Sequence, residues 1–356
     1  MQGIKRIQFI VLAVFSLILG GWGLTAVAQA AGENEVGYSV KAAIPKNQIN
    51  KKNSFFDLKM KSGQTENLQV RIYNVTNQSI KVQTAIHTAW TSSAGAIEYV
   101  KPAKSFDSSL KYKMSDISKL QGKSTVTIPA GKSRVVTAKV KMPTTAFNGV
   151  ILGGWYFKRV DHQVTGNVKG ASNLRNSYSY VVGMKYTMGS QTPFPDLKLG
   201  KVAAGLGDYH RGVFADLRNP KAVIIPDLKM KTTITNRNGN KLVKQATKDN
   251  VQMAPNTTFR YPIYFGKEEL KAGNYHLHMV VKNTDRTWVF DRNFTITAKQ
   301  AAQFNRGSVE NSGINLWLVL ALGALGMLVL ILLILLIIYL IRRNKKKQDE
   351  QEQAES

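Results

Sequence analysis

The sequence predicts an all-β protein: two tandem immunoglobulin-like β-sandwich domains, preceded by an N-terminal signal peptide and followed by one C-terminal transmembrane helix. Three observations predict it. Apolar and polar residues alternate with period two through the middle of the chain. Turn residues recur between those runs. An uncharged apolar segment stands near each end. Period-two patterns with one wet face are those of antiparallel sheets.

The elements follow in order. Lys5 and Arg6 precede an apolar stretch over 7–19, and Ala28-Gln29-Ala30 supplies a small-residue cleavage site. Residues 1–30 therefore read as a secretory signal peptide. No Cys follows the site, so it is not a lipoprotein signal.

Residues 31–160 read as the first sandwich. Leu68, Val70 and Ile72 alternate with Gln69, Arg71 and Tyr73, and Val136, Ala138, Val140 and Met142 alternate with Thr137, Lys139 and Lys141. Turn signals stand at 74–77 and at Pro129-Ala130-Gly131. Ser115 to Leu120 allows a helical turn or two. Residues 161–177, rich in Gly, Asn and Ser, read as a linker.

Residues 178–298 read as the second sandwich. A strand-like run over 178–188 opens it, and Pro193-Phe194-Pro195 marks a break soon after. Leu228, Met230, Thr232 and Ile234 alternate with Lys229, Lys231 and Thr233, and Tyr275, Leu277, Met279 and Val281 alternate with His276, His278 and Lys282. Residues 299–313 read as a polar stalk.

Residues 314–341 read as the transmembrane helix, because Leu316 to Ile341 carries no charge. At ~1.5 Å per residue it exceeds the ~30 Å hydrocarbon core. Trp317 and Tyr339 sit near its ends, where aromatic side chains favour the interface. Arg342, Arg343, Lys345, Lys346 and Lys347 follow at once, so the positive-inside rule makes residues 342–356 a cytoplasmic tail. No sorting motif for covalent wall attachment precedes the helix. The expected location is the cell membrane, single-pass, with the ectodomain outside in the cell-wall zone.

Composition narrows the partners. The 356 residues include no Cys and carry a formal charge of +27. An exported chain without disulfides suits a bacterial surface. Setting aside the leader and the tail leaves 42 basic and 18 acidic residues, about +24. Such a field favours anionic wall polymers, wall carboxylates, acidic proteins or polysaccharides. The compartment excludes nucleic acid. Equally, the charges are dispersed, and a basic ectodomain is also simply a soluble one.

Nothing in the residues asks for catalysis. There is no thiol, and none of His87, His162, His210, His276 and His278 lies in a metal motif. His276 and His278 share one strand face, but no third ligand is evident in the sequence. No nucleophile elbow, phosphate loop or dinucleotide fingerprint appears. The chain reads as a non-enzyme, with no cofactor and no metal.

Two groups of residues are candidates for binding. Trp90 lies before the polar loop Thr91-Ser92-Ser93-Ala94-Gly95, with Tyr99 close behind. An aromatic face beside hydrogen-bonding groups suits a glycan, while a large aromatic at a strand end also plugs a core. Gly153 and Gly154 precede Trp155 and Tyr156 in a strand-like run that begins near Gly149. Glycines there mark either a flat edge for an added partner strand or an internal close approach.

Longer segments carry a resemblance. GYSVKAAIPKNQINKKNSFFDLKMKSGQTENLQVRIYNVTN, TAWTSSAGAIEYV and MPTTAFNGVILGGWYF lie in the first half. NSYSYVVGMKYTM, ADLRNPKAVIIPDLKM, MAPNTTFRYPIYF, LKAGNYHLHM and WVFDRNFTIT lie in the second. The chain resembles the WxL-interacting proteins of Gram-positive bacteria. That resemblance implies a peptidoglycan-binding domain, then a host-binding domain, then a membrane anchor. It implies secreted WxL-domain proteins as partners, contact with peptidoglycan, and adhesion to host extracellular matrix. It transfers no individual binding residue. The competing functional classes are a surface sensor, a structural wall-associated protein without host binding, and a wall hydrolase.

Overall fold

The computed structural model describes residues 36–161, 178–311 and 316–354. The expected signal peptide, nearly all of the expected linker, residues 312–315 and the last two tail residues lie outside the described residues.

The described chain is mostly β. It begins with β1 (Tyr38–Ala43), β2 (Phe56–Lys59), β3 (Thr65–Asn74), β4 (Ile80–Thr88), and the short β5 (Trp90–Thr91) and β6 (Ile97–Glu98). A single helical turn, α1 (Met114–Ile117), leads to β7 (Ser118–Gln121), β8 (Thr125–Ile128), β9 (Ser133–Lys141), β10 (Gly149–Arg159) and β11 (Ser179–Met188). The strands form one sheet in the order β1-β3-β9-β7, a second in the order β2-β11-β10-β4-β8, and a small ribbon of β5 and β6.

One apolar core draws on both large sheets. Leu68, Val70 and Ile72 of β3 and Ala138 and Val140 of β9 belong to it together with Val82, Trp155, Phe157, Met184 and Tyr186. The alternation in sequence is what makes this possible, since every second side chain of β3 turns inward. Each such side chain contributes ~1.5–3 kcal/mol when fully buried.

Strand β11 pairs across the expected domain boundary. It was expected to open the second domain, yet it pairs antiparallel with β10 from Ser179 to Met188 and parallel with β2. Its apolar side chains Val182, Met184, Tyr186 and Met188 alternate into the first core. The strands on either side of residues 162–177 are therefore neighbours in one sheet.

The second core follows. It comprises β12 (Lys198–Gly207), β13 (His210–Asn219), β14 (Ile225–Asn236), β15 (Leu242–Met253), β16 (Thr257–Tyr264), β17 (Gly273–Lys282) and β18 (Thr287–Ile296). The sheets run β12-β13-β16 and β15-β14-β17-β18. Between them lie Val213, Leu217, Leu228, Met230, Phe259, Tyr261, Leu277 and Met279.

The two cores share a device that the sequence does not advertise. Asn74 ends β3 and Asn219 ends β13, and both are buried. The Asn74 carboxamide donates to Gln78, Ile128 and Pro129 carbonyls at 2.7, 3.0 and 2.9 Å. That of Asn219 donates to Val223 and Ala254 carbonyls at 2.7 and 2.9 Å. Each clamps the chain after its strand, satisfying carbonyls that burial would otherwise leave costly.

The expected stalk is also corrected. Residues Ala298–Arg306 form helix α2, opened by a capping box between Thr297 and Gln300. Ala301 is buried in the second core. The Asn305 side chain bonds the Leu270 backbone in both directions at 2.9 Å. A 3-10 turn, Val309–Asn311, then meets the β12–β13 hairpin through Val309 N–H to Tyr209 C=O at 3.0 Å and His210 Nδ1 to Glu310 Oε1 at 2.8 Å. Donors from Ser308 and then His210 hold the Glu310 carboxyl down to about 2. The last element, α3 (Leu316–Ala354), contains a segment long and apolar enough to cross a membrane, Val319–Arg343.

Candidate functional site

The segment between β4 and α1 leaves the first core and lies on the second. Gly95, at φ +76°, comes close enough that a Cβ would stand 2.9 Å from Val251 and 3.3 Å from Phe259. Its carbonyl accepts Gln252 N–H at 2.8 Å. The buried Thr91 hydroxyl meets that of Thr257 at 2.7 Å and accepts Ala254 N–H at 3.0 Å. Val150 N–H donates to Ala222 C=O at 2.8 Å. Ala89, Val150, Leu152 and Ala254 form a small apolar cluster of their own there, packed on by Tyr99, Ile97 and Ile224.

A charge pair closes the same joint. Arg218 of β13 donates from Nε and Nη2 to the two Asp107 oxygens, both at 2.7 Å, and Thr258 Oγ1 donates at 2.5 Å. The Asp107 side chain is only 2% exposed. The Arg218 guanidinium, aided by Thr258 and Ser109, holds this carboxyl far below the usual carboxylate range despite burial. Bidentate pairing of this kind fixes orientation as well as attraction.

A cleft of about 330 Å³ opens along this joint. Lys111, Tyr112, Phe147 and Asn148 line it from the first core, and Lys221 and Asn256 from the second. The rings of Tyr112 and Phe147 lie 5.6 Å apart at 31°. Asn256 is set by donating to Ser109 Oγ at 3.2 Å and Pro220 C=O at 3.0 Å. Two ammonium groups beside an aromatic pair and two carboxamides suit an acidic ligand with an apolar body.

The six residues expected to bind fall in different places. Trp155 is fully buried, and its indole N–H donates to Thr84 Oγ1 at 2.5 Å. It is a core residue and offers no surface. Gly153 faces inward with it, where a Cβ would stand 2.3 Å from Met114 Cγ and 2.5 Å from the His87 carbonyl. Gly154 faces the other way, under Tyr99, with a Cβ position 3.0 Å from Tyr99 Cβ.

Tyr156 stacks on His87, with centroids 5.5 Å apart, and His87 Nδ1 bonds the Tyr99 carbonyl at 3.1 Å. Tyr99, Gly154 and Tyr156 are therefore gathered, and burial raises the Tyr99 phenol above its ordinary value. Trp90 is half-buried, donating to Lys101 C=O at 2.7 Å. Of the two readings of the glycines in 149–156, the structure has the internal close approach and not the free edge: β10 is flanked by β11 and β4, and its first residues are covered by Ala222 and Ala89.

Sequence reasoning missed the residues of the joint. Lys111, Tyr112, Phe147 and Lys221 are separated by up to 110 positions, and no local spacing brings them together. It also missed the third member of the histidine pair: Asp291 Oδ1 lies 3.0 Å from His276 Nε2 and 2.9 Å from His278 Nδ1. Among the described residues, no group of three or more His, Asp or Glu has the arrangement of a metal site.

The described residues form two strand-rich cores that meet at this joint and are followed by a helix long and apolar enough to cross a membrane, and the family matches define the class as a cell-surface interaction protein. The chain belongs to the WxL-interacting proteins: a family model described as WxL Interacting Protein, peptidoglycan binding domain, matches residues 38–159, and one described as WxL Interacting Protein, host binding domain, matches residues 169–306.

Solved structures similar to the chain include the YadV chaperone, at 12% identity, covering 73% of this chain and 100% of that one with a TM-score of 0.30. The class 5 fimbriae chaperone CfaA matches at 10% identity, over 71% and 99%, with a TM-score of 0.28. The E. coli chaperone DraB matches at 14%, over 73% and 98%, with a TM-score of 0.26. Comparison with curated proteins finds no match.

Proposed function

We propose that the protein is a membrane-anchored scaffold that binds WxL-domain proteins and peptidoglycan at the cell surface, and that the assembled complex adheres to host matrix. Each pair of sheets serves as an immunoglobulin-like sandwich. The α3 helix anchors the chain, with the cores outside and the basic tail in the cytoplasm. The observation that carries this reading is the cleft at the joint between the two family units, lined by Lys111 of one and Lys221 of the other. An acidic, partly apolar segment of a WxL-domain protein fits its chemistry. Two modest contacts on one anchored chain, one to the partner and one to the wall, then hold a complex through effective concentration.

The test uses the full chain in detergent. Its affinity for a purified WxL-domain protein is measured for wild type and for the Lys111→Glu/Lys221→Glu double variant, and its retention on washed sacculi is followed across a salt series. Loss of partner affinity in the double variant, with retention on sacculi at high salt, supports both contacts. Unchanged partner affinity removes the cleft from the reading. Retention that collapses with salt reduces the wall contact to charge attraction.

A further inference from the structure

The second core has two unlike ends. Strand β13 runs from His210, at its hairpin with β12, to Asn219, which adjoins Pro220 and Lys221 of the cleft. At ~3.3 Å per residue these ends stand ~30 Å apart. The end away from the joint collects the β12–β13 hairpin, the β14–β15 hairpin, the loop between β16 and β17, and the turn Val309–Asn311. Pairing places them there: Gly207 opposes His210, Gly212 opposes Tyr264, and Asn236 opposes Tyr275. Arg211 Nε donates to Gly266 C=O at 3.0 Å, and Asn274 C=O accepts Arg237 N–H at 3.0 Å, so hairpins and loop stand together.

Exposed apolar side chains gather at that end. Tyr209, 72% exposed, tips the β12–β13 hairpin, and Val309 is exposed beside it, its N–H donating to the Tyr209 carbonyl at 3.0 Å. Tyr264 is exposed on the next strand, its ring 5.6 Å from that of His210. Leu242, 56% exposed, opens β15 two residues before Lys244, which bonds Glu268 of the β16–β17 loop at 3.1 Å. Among the described residues of β12 to β18, the one other exposed large apolar side chain is Val289. Lys241, Lys267, Lys271 and Arg306 are exposed at the same end. Of the acids there, Glu268 is bonded by Lys244, and Glu310 by Ser308 and by His210 at 2.8 Å. Asp208 and Glu269 complete the set, so cations are in excess.

The chain also leaves the core at this end. Asn311 closes the turn, and Leu316 opens the apolar helix α3 five residues on. On the anchored reading of α3, on which this inference rests, chain connectivity holds these side chains near the lipid. The geometry points to this end of the second core as a docking surface for the outer lipid interface of the cell's own membrane, with Tyr209 and Leu242 entering the headgroup layer and Lys267, Lys271 and Arg306 reaching lipid phosphates. An apolar ring with a polar tip suits the boundary between hydrocarbon and water. Lys and Arg lay apolar stems against such a boundary and keep their charges among the headgroups. Apolar burial and attraction to anionic lipids are the two parts of interfacial binding, and both are present here. Docked in this way, the second core stands with its joint and cleft turned away from the bilayer.

The sequence has no Cys, so a single introduced Cys carries one fluorescent label. The full chain is placed, one copy per disc, in nanodiscs of phosphatidylcholine and phosphatidylglycerol in equal parts. The label sits at Glu269→Cys, in the β16–β17 loop, or at Thr284→Cys, in the β17–β18 hairpin at the opposite end. Lipids with a nitroxide on the headgroup are expected to quench the first label and not the second. Tyr209→Asn/Leu242→Asn is expected to lose that quenching. Its unfolding midpoint should stay at the wild-type value, because both side chains are exposed and Asn suits the φ of +64° at position 209. Quenching that survives the double variant overturns the proposal, since nearness through the connecting chain then accounts for it. Equal quenching of the two labels overturns it as well. Absence of quenching at both sites, in a chain that has entered the disc, removes the docking and leaves the anchored reading standing. A chain that fails to enter discs overturns the anchored reading and the docking with it.

Discussion

Arg218 and Asp107 stand 111 positions apart and meet through two hydrogen bonds of 2.7 Å, one from each of two guanidinium nitrogens to a different carboxylate oxygen. The pair joins a loop of the first core to a strand of the second. Replacing Arg218 with Ala leaves a carboxylate with 2% of its side chain exposed and without its main partner. The expected cost is about 3 kcal/mol, the range for breaking a buried pair from one side. Hydrogen exchange across residues 104–110 and 254–258 checks it, with faster exchange in Arg218→Ala than in wild type.

The same pair sets a pH dependence. The Asp107 carboxyl is depressed in the folded chain, chiefly by Arg218. Its contribution is fully present above the unfolded carboxylate value of ~3.9 and is lost only as pH falls through the lower folded value. The joint should therefore hold from neutral pH down to about pH 4. A fluorescence-transfer pair placed across the two cores should report constant distance over that range.

Trp155 and the cleft lysines separate stability from binding. Trp155→Ala empties a fully buried site and should cost about 3–5 kcal/mol, seen as a large fall in unfolding midpoint. Lys111→Glu and Lys221→Glu alter exposed side chains, and should leave the midpoint within ~0.5 kcal/mol of wild type while weakening binding of an acidic partner. A midpoint shift in the lysine variants as large as that of Trp155→Ala would refute the division.

Gly153 tests the close approach inside β10. A methyl group there would meet the His87 carbonyl, which is backbone in a paired strand and cannot swing aside. Gly153→Ala should therefore destabilise by about 1–3 kcal/mol through overpacking. Gly122→Ala makes the comparison: nothing lies within 4 Å of a Cβ there, so any cost comes from its φ of +92° alone.

Helix α2 depends on its cap. Thr297 accepts Gln300 N–H at 3.2 Å, and Gln300 returns the bond to Thr297 N–H at 3.0 Å. Thr297→Ala should cost about 1 kcal/mol of local stability. Exchange of the amides of residues 298–306 measures it directly, and unchanged protection would mean that packing of Ala301 and Asn305 alone holds the helix.

Much of the architecture was legible because it is local. The alternation through 68–73, 136–142, 228–234 and 275–282 fixes which side chains enter each core, and those strands form as read. Strand β11 was legible as a strand but not as a member of the first sheet. Its alternation fits either core, and only pairing with β10 over ten residues decides between them. The stalk was misread because Lys299, Gln300, Gln303 and Arg306 dominate its composition, while the small residue that docks it, Ala301, carries little signal. The cleft was invisible for a different reason: its lysines and aromatic residues come from separate cores, brought together by Thr91, Gly95 and Asp107, and although Thr91 and Gly95 lie in a loop singled out in the sequence, nothing in its spacing says that it packs on the second core.

Helix α2 has a consequence for where the protein can act. Because it folds back onto the second core, only five peptide steps separate Asn311 from Leu316 of the membrane helix, a number of bonds that can span at most ~18 Å. On the proposed topology, the second core patrols a thin layer against its own membrane, and the first core is the part that projects into the wall. A protein leashed this short cannot extend its own second core to another cell. Contact with a distant surface must then be made by whatever the cleft carries, with the anchored chain serving as the mooring and its cargo as the reach.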